Sequence, residues 1–173
     1  NSDDVIGTHF TFPNYPFRAS GHWVRTGDNF NPALGFVRRR GGKSTGLGFT
    51  YYFEQPENEL LEDISVGAEY DRYEWLDGDL DSDELEINLI GIRTLAGDFL
   101  GLEVEFERDI LQEPFEIIDE VIIPSSEYKG IDFELEFRSS SNRPVFGEFE
   151  IAYGHFYGGK ATNAEIDLSW RPS

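Results

Sequence analysis

Apolar and polar side chains alternate one by one along most of this chain, a period of two that marks strands with one apolar and one polar face. Leu102, Val104 and Phe106 alternate with Glu103, Glu105 and Glu107, and Ile131, Phe133, Leu135 and Phe137 with Asp132, Glu134, Glu136 and Arg138. Phe149, Ile151 and Tyr153 oppose Glu148, Glu150 and Ala152, and Ala164, Ile166, Leu168 and Trp170 oppose Asn163, Glu165, Asp167 and Ser169. The same rhythm runs through Gly46–Phe53, Ile64–Asp71 and Glu84–Leu89, and more weakly through Phe17–Arg25. The pattern predicts about eight strands.

Turn chemistry falls between them. Asp77-Gly78, Ala96-Gly97-Asp98, Ser140 to Pro144 and Gly158-Gly159-Lys160 suit hairpin connections. Regular strands joined by such turns predict an all-β, antiparallel up-and-down meander, part of a β-barrel or a small closed one, in one domain over residues 1–173. Two stretches break the rhythm and read as loops, at about residues 27–44 and 109–127. The second carries apolar Ile117-Ile118 and Val121-Ile122-Ile123 before Pro124, and loops of that length are usually functional or folded back on the domain.

Charge narrows the partners. The 34 Asp and Glu against 14 Lys and Arg give a net charge of −20, which disfavours nucleic acid, because phosphate binding is driven by Lys and Arg displacing counterions. It favours cationic partners, bound cations or a salty medium. There are no cysteines, so disulfide and thiolate chemistry are excluded. No apolar run is long enough for a membrane-spanning helix. Asn1-Ser2-Asp3-Asp4 does not open a signal peptide, and the expectation is a removed leader or an internal piece of a longer protein.

Period two is blind to which face is inside. A soluble barrel or sandwich buries the apolar face, whereas a transmembrane barrel turns it to lipid around a polar lumen. The runs Phe99–Arg108 and Tyr128–Arg138 reach the roughly 9–11 tilted residues that cross a bilayer. Tyr73, Trp75, Tyr128, Tyr153, Tyr157 and Trp170 near strand ends suit interfacial girdles.

One segment carries more than rhythm. The run Gly27-Asp28-Asn29-Phe30-Asn31-Pro32-Ala33-Leu34-Gly35-Phe36-Val37-Arg38-Arg39 resembles a stretch of a bacterial family that joins an N-terminal carbohydrate-binding family 9-like domain to a large outer-membrane β-barrel of unknown function. Glu113–Ile117, Val121–Pro124, Phe156–Gly159 and Ser169–Ser173 are similar to that barrel region in the same order, so the likeness spans about Gly21 to Ser173. It includes no carbohydrate-binding domain, so no sugar-binding residue is carried over. Members of the family continue beyond the position of Ser173 with further strands. The resemblance therefore implies a segment of a bacterial outer-membrane barrel, with lipid bilayer or lipopolysaccharide and the remainder of a larger barrel as partners. Its acidic polar faces are heavier than the family pattern and suggest a marine or halophilic source.

Candidate chemistry is acidic. Glu103, Glu105 and Glu107, then Asp132, Glu134 and Glu136, then Glu148 and Glu150, occupy polar strand faces; lining a lumen, they would favour cations. A solvated strand face that resists aggregation explains the same rows. Asp77, Asp79, Asp81 and Asp83 are dense enough in hard oxygens for Ca²⁺, yet their order does not fit the EF-hand loop, and an acidic hairpin tip explains them too. Arg38, Arg39 and Arg40 form a basic loop that would pair with lumen carboxylates, touch lipid phosphate or compensate charge locally. Gly42-Lys43-Ser44-Thr45 mimics the end of a phosphate-binding loop, but Val37 stands where its first Gly belongs and a strand follows. His9, His22 and His155 lack ligand spacing, and no Gly-x-Ser-x-Gly elbow is present. The expectation is no catalytic residue, no cofactor unless Ca²⁺, and a structural or passive-transport role in the bacterial outer membrane. The alternative is a soluble secreted or cell-surface β-sandwich or barrel that binds a ligand or Ca²⁺.

Overall fold

The structure, a computed structural model, describes residues 4–31, 41–118 and 121–171. Eleven strands and no helix lie among them: β1 (Val5–Phe12), β2 (Phe17–Thr26), β3 (Gly42–Glu54), β4 (Leu61–Trp75), β5 (Leu80–Thr94), β6 (Phe99–Ile110), β7 (Phe115–Ile118), β8 (Val121–Ile123), β9 (Glu127–Arg138), β10 (Val145–Phe156) and β11 (Gly159–Trp170). The alternating segments pair with their sequence neighbours, so the sheet is one antiparallel meander in the order β1-β2-β3-β4-β5-β6-β9-β10-β11. It is not closed: β1 and β11 are its two edges. β7 and β8 form a separate hairpin.

The meander is as the alternation predicts, with nine strands in place of eight. The added strand, β1, pairs along its full length with β2, from Val5 opposite Thr26 to Phe12 opposite Ala19. The two expected loops are shorter at their edges, because backbone pairing continues into them. β3 starts at Gly42, opposite Thr26 and Trp75, and β6 continues to Ile110, opposite Glu127. The apolar runs inside the second loop are the β7–β8 hairpin. Register shifts on β4 and β5, including one at Asn88/Ile90, mark bulges, which bend and twist a strand locally.

The connections sort by end. One end carries only the short turns 13–16, 55–60, 95–98 and 139–144; the other carries the connections 27–41 and 111–126 beside the turns 76–79 and 157–158. The short turns fasten to one another: the Leu95 N–H donates to the Leu60 carbonyl at 2.9 Å, and the Ser140 N–H donates to Asp98 Oδ1 at 2.8 Å. Gly97 (φ 89°) permits the turn that presents Asp98.

The sheet has a single layer. Among the described residues no element packs across either face, and Val104 is the one buried hydrophobic side chain. A domain of this size normally seals many. No helix of the described residues is long and apolar enough to cross a membrane, which says nothing of strands.

Candidate functional site: two chemically opposite sheet faces

The registers sort every strand residue onto one of two faces. Leu102, Leu135 and Ile151 lie in one cross-strand row, and Phe106 with Ile131 in another. β3 and β4 continue the same face with Leu47 opposite Tyr70 and Phe49 opposite Ala68. β11 ends it with Ile166 opposite Phe149. On β9 this apolar face is the exposed one. Phe133 is 51% and Leu135 38% exposed, while Asp132, Glu134 and Glu136 between them are only partly exposed. Water-soluble sheets show the reverse sense.

The opposite face carries rows of carboxylates. Glu69, Glu86, Glu105 and Asp132 stand directly across from one another on β4, β5, β6 and β9. Asp71, Glu84 and Glu107 form a second row. Glu103 and Glu134 form a third, with the Asn88 amide donating to Glu103 Oε1 at 3.0 Å. Glu136, Glu150 and Glu165 form a fourth, and Glu148 lies opposite Asp167. Directly opposite residues place their Cβ atoms about 5 Å apart, where like charges destabilise a sheet. Cations above the face would offset that repulsion.

All eight sequence-predicted lumen carboxylates share this one face. Glu69, Asp71, Glu84, Glu86, Glu165 and Asp167 join them and were missed, although the parity of each strand already placed them with the other acids. Cations on this face collect at the short-turn end. Arg138 pairs with Glu136, and with Glu148 at 3.1 Å. The Arg93 Nε lies 3.8 Å from Asp63, and the Arg18 guanidinium covers the Tyr52 ring at 4.9 Å while donating to its hydroxyl at 3.2 Å. The adjoining turns are clamped by Arg143 on Asp98, with Arg143 Nη2 to Asp98 Oδ2 at 2.6 Å. That guanidinium and the Ser140 N–H hold the Asp98 carboxyl below the usual aspartate range. A trough of about 480 Å³ opens over β2–β5, where Gly48 and Gly67 leave room beside Arg18, Thr50 and Tyr52.

The acidic tip splits. Asp77 caps its own turn, accepting from the Asp79 N–H at 3.1 Å. Asp83 lies on the apolar face, engaged by the Arg108 guanidinium through Nε at 2.9 Å, and Asp81 precedes it on β5. Among the described residues no group of three or more His, Asp or Glu side chains converges as a metal site. Arg38, Arg39 and Arg40 lie outside the described residues. The six girdle aromatics do not share a face. Tyr153 and Trp170 stand exposed on the apolar side, whereas Tyr73 and Trp75 fall on the carboxylate side by register. Tyr128 packs edge-on against Tyr157 at 5.1 Å, and Phe115 of β7 also meets Tyr157 edge-on at 5.4 Å. Strand parity, not nearness to a strand end, decides the face. No protein-family model matches the chain, and no curated protein or solved structure matches it.

Proposed function

We propose that this chain is part of a bacterial outer-membrane β-barrel, with its apolar face against hydrocarbon and its carboxylate face lining a lumen that favours cations. Its duty is structural or passive transport. The observation that carries the reading is the sense of exposure along β9, where Phe133 and Leu135 stand open while Asp132, Glu134 and Glu136 are partly covered. Lipid is the medium in which that arrangement costs least.

The belt has the right height. On β6 the apolar face runs uncharged between Asp98 and Arg108, a span that projects to about 25 Å at a rise of about 3.3 Å per residue and a tilt of about 40°. Transmembrane barrels carry an apolar band about 25 Å tall. The open edges β1 and β11 fit the expected partner, the remainder of a larger barrel, since unpaired strand edges are not tolerated in hydrocarbon. The resemblance around Gly27–Arg39 supports the outer membrane as the location.

Cell fractionation tests this. The protein should travel with the outer membrane and leave it only in detergent. A monodisperse protein in plain buffer, with no detergent at any step, would contradict the assignment.

A further inference from the structure

We propose that the long-loop end faces the phosphorylated headgroups of the outer leaflet, and that a row of Lys and Arg along the upper border of the apolar face binds them. The inference rests on the membrane reading above and adds an orientation and a ligand to it.

The apolar face stops abruptly toward that end. Arg25 and Lys43 stand opposite each other on β2 and β3, with Glu74 beyond Lys43 on β4. One row nearer the belt, Arg72, Asp83, Arg108 and Lys129 follow one another across β4, β5, β6 and β9. Lys160 continues the border on β11, its ammonium 5.7 Å from the centre of the Tyr153 ring. Six cations of a chain that has only 14 thus gather in one narrow band, although their positions in the sequence are far apart. Among the described residues the short-turn border of the same face has no such row. There Arg18, Arg93 and Arg138 sit on the carboxylate side.

The band is built for an interface. Four of its six cations are paired within it: Arg25 to Asp4 at 3.3 Å, Arg72 to Glu74 at 2.8 Å, Lys129 to Glu127 at 3.0 Å, and Arg108 to Asp83. Pairing lowers the cost of holding charge beside hydrocarbon. A guanidinium carries five N–H donors, more than a single carboxylate can take, and Lys129 remains 67% exposed. Connection length points the same way, because outer-membrane barrels carry short turns on the periplasmic side and longer loops outside.

The test uses the detergent-purified protein and fluorescent lipid A, in its phosphorylated form and with its phosphates removed. The parent should retain the phosphorylated lipid preferentially. A K43Q/K129Q/K160Q variant should lose that preference by roughly a hundredfold, at about fivefold per lysine near an anionic surface. An R18Q/R93Q variant, altered at the other end, should keep it. Equal retention of both lipids, equal binding by the triple variant, or full displacement by inorganic phosphate would overturn the inference. A protein that needs no detergent defeats the membrane reading itself, whereas phosphate-blind binding by a detergent-dependent barrel defeats only this orientation.

Discussion

Replacing Leu135 by arginine places a charge near the centre of the apolar belt. Leu135 lies six residues along β9 from Lys129, about 20 Å along the strand and about 15 Å in depth at a tilt of about 40°. That is close to the midplane of a hydrocarbon layer roughly 30 Å thick. Arginine on the lipid face of a barrel costs about 2–4 kcal/mol at the midplane and about 0–1 kcal/mol near the interface. Ile131, two residues from Lys129 on the same face, lies only about 5 Å below the charged border by the same arithmetic. Leu135→Arg should therefore destabilise the protein by about 3 kcal/mol, and Ile131→Arg by less than about 1 kcal/mol. The assay is reversible urea unfolding from phosphatidylcholine vesicles, followed by tryptophan emission. A negligible effect at Leu135 would refute the reasoning, because a face wetted on its outer side accepts arginine freely. Equal costs at both positions would also refute it, since depth would then carry no weight.

Three further outcomes are expected. Neutralising Glu103, Glu105 and Glu134 together to Gln should shift the reversal potential in planar bilayers toward zero under a KCl gradient, because these carboxylates stand in adjacent rows of one face; an unchanged potential would remove them from the conduction path. Asp98 is held below its usual range by Arg143, so its contribution is complete above about pH 4, the ordinary aspartate value, and is lost as pH falls through its depressed folded value. Melting followed down the acid limb should lose that component in Asp98→Asn, and an identical acid profile in parent and variant would contradict the clamp. Gly67→Val should destabilise by about 1–3 kcal/mol, since a Cβ there meets the Phe49 carbonyl oxygen at 2.8 Å and backbone cannot move aside; urea titration reads it, and a neutral result would show that the strands can part.

Strand identity was legible because side-chain parity survives in sequence: Ile131 to Arg138 reads as a strand whatever lies around it. β1 escaped because Thr8 and Gly7 blur its alternation over a short run. β7 and β8 are too short to show any period, and a consecutive apolar pair, Leu89-Ile90, marked the β5 bulge without revealing it. The direction of the apolar face was not legible, for a strand has the same period whether its apolar side meets a core or lipid. Nor were the cationic border and the Asp98–Arg143 clamp. Arg25, Arg72, Arg108 and Lys160 become neighbours of one border only after register is set, and register depends on turns and bulges rather than on composition.

The central claim is tested most directly by single cysteines from Ile131 to Arg138, introduced into a chain that has none of its own. Each is spin-labelled in vesicles and its accessibility to oxygen is compared with that to a water-soluble nickel chelate. The account predicts strict alternation, with oxygen reaching positions 131, 133, 135 and 137 and the nickel chelate reaching 132, 134 and 136. Labels at 133 and 135 shielded from both probes, beside one at 134 open to the chelate, would mean a sealed apolar core and contradict it.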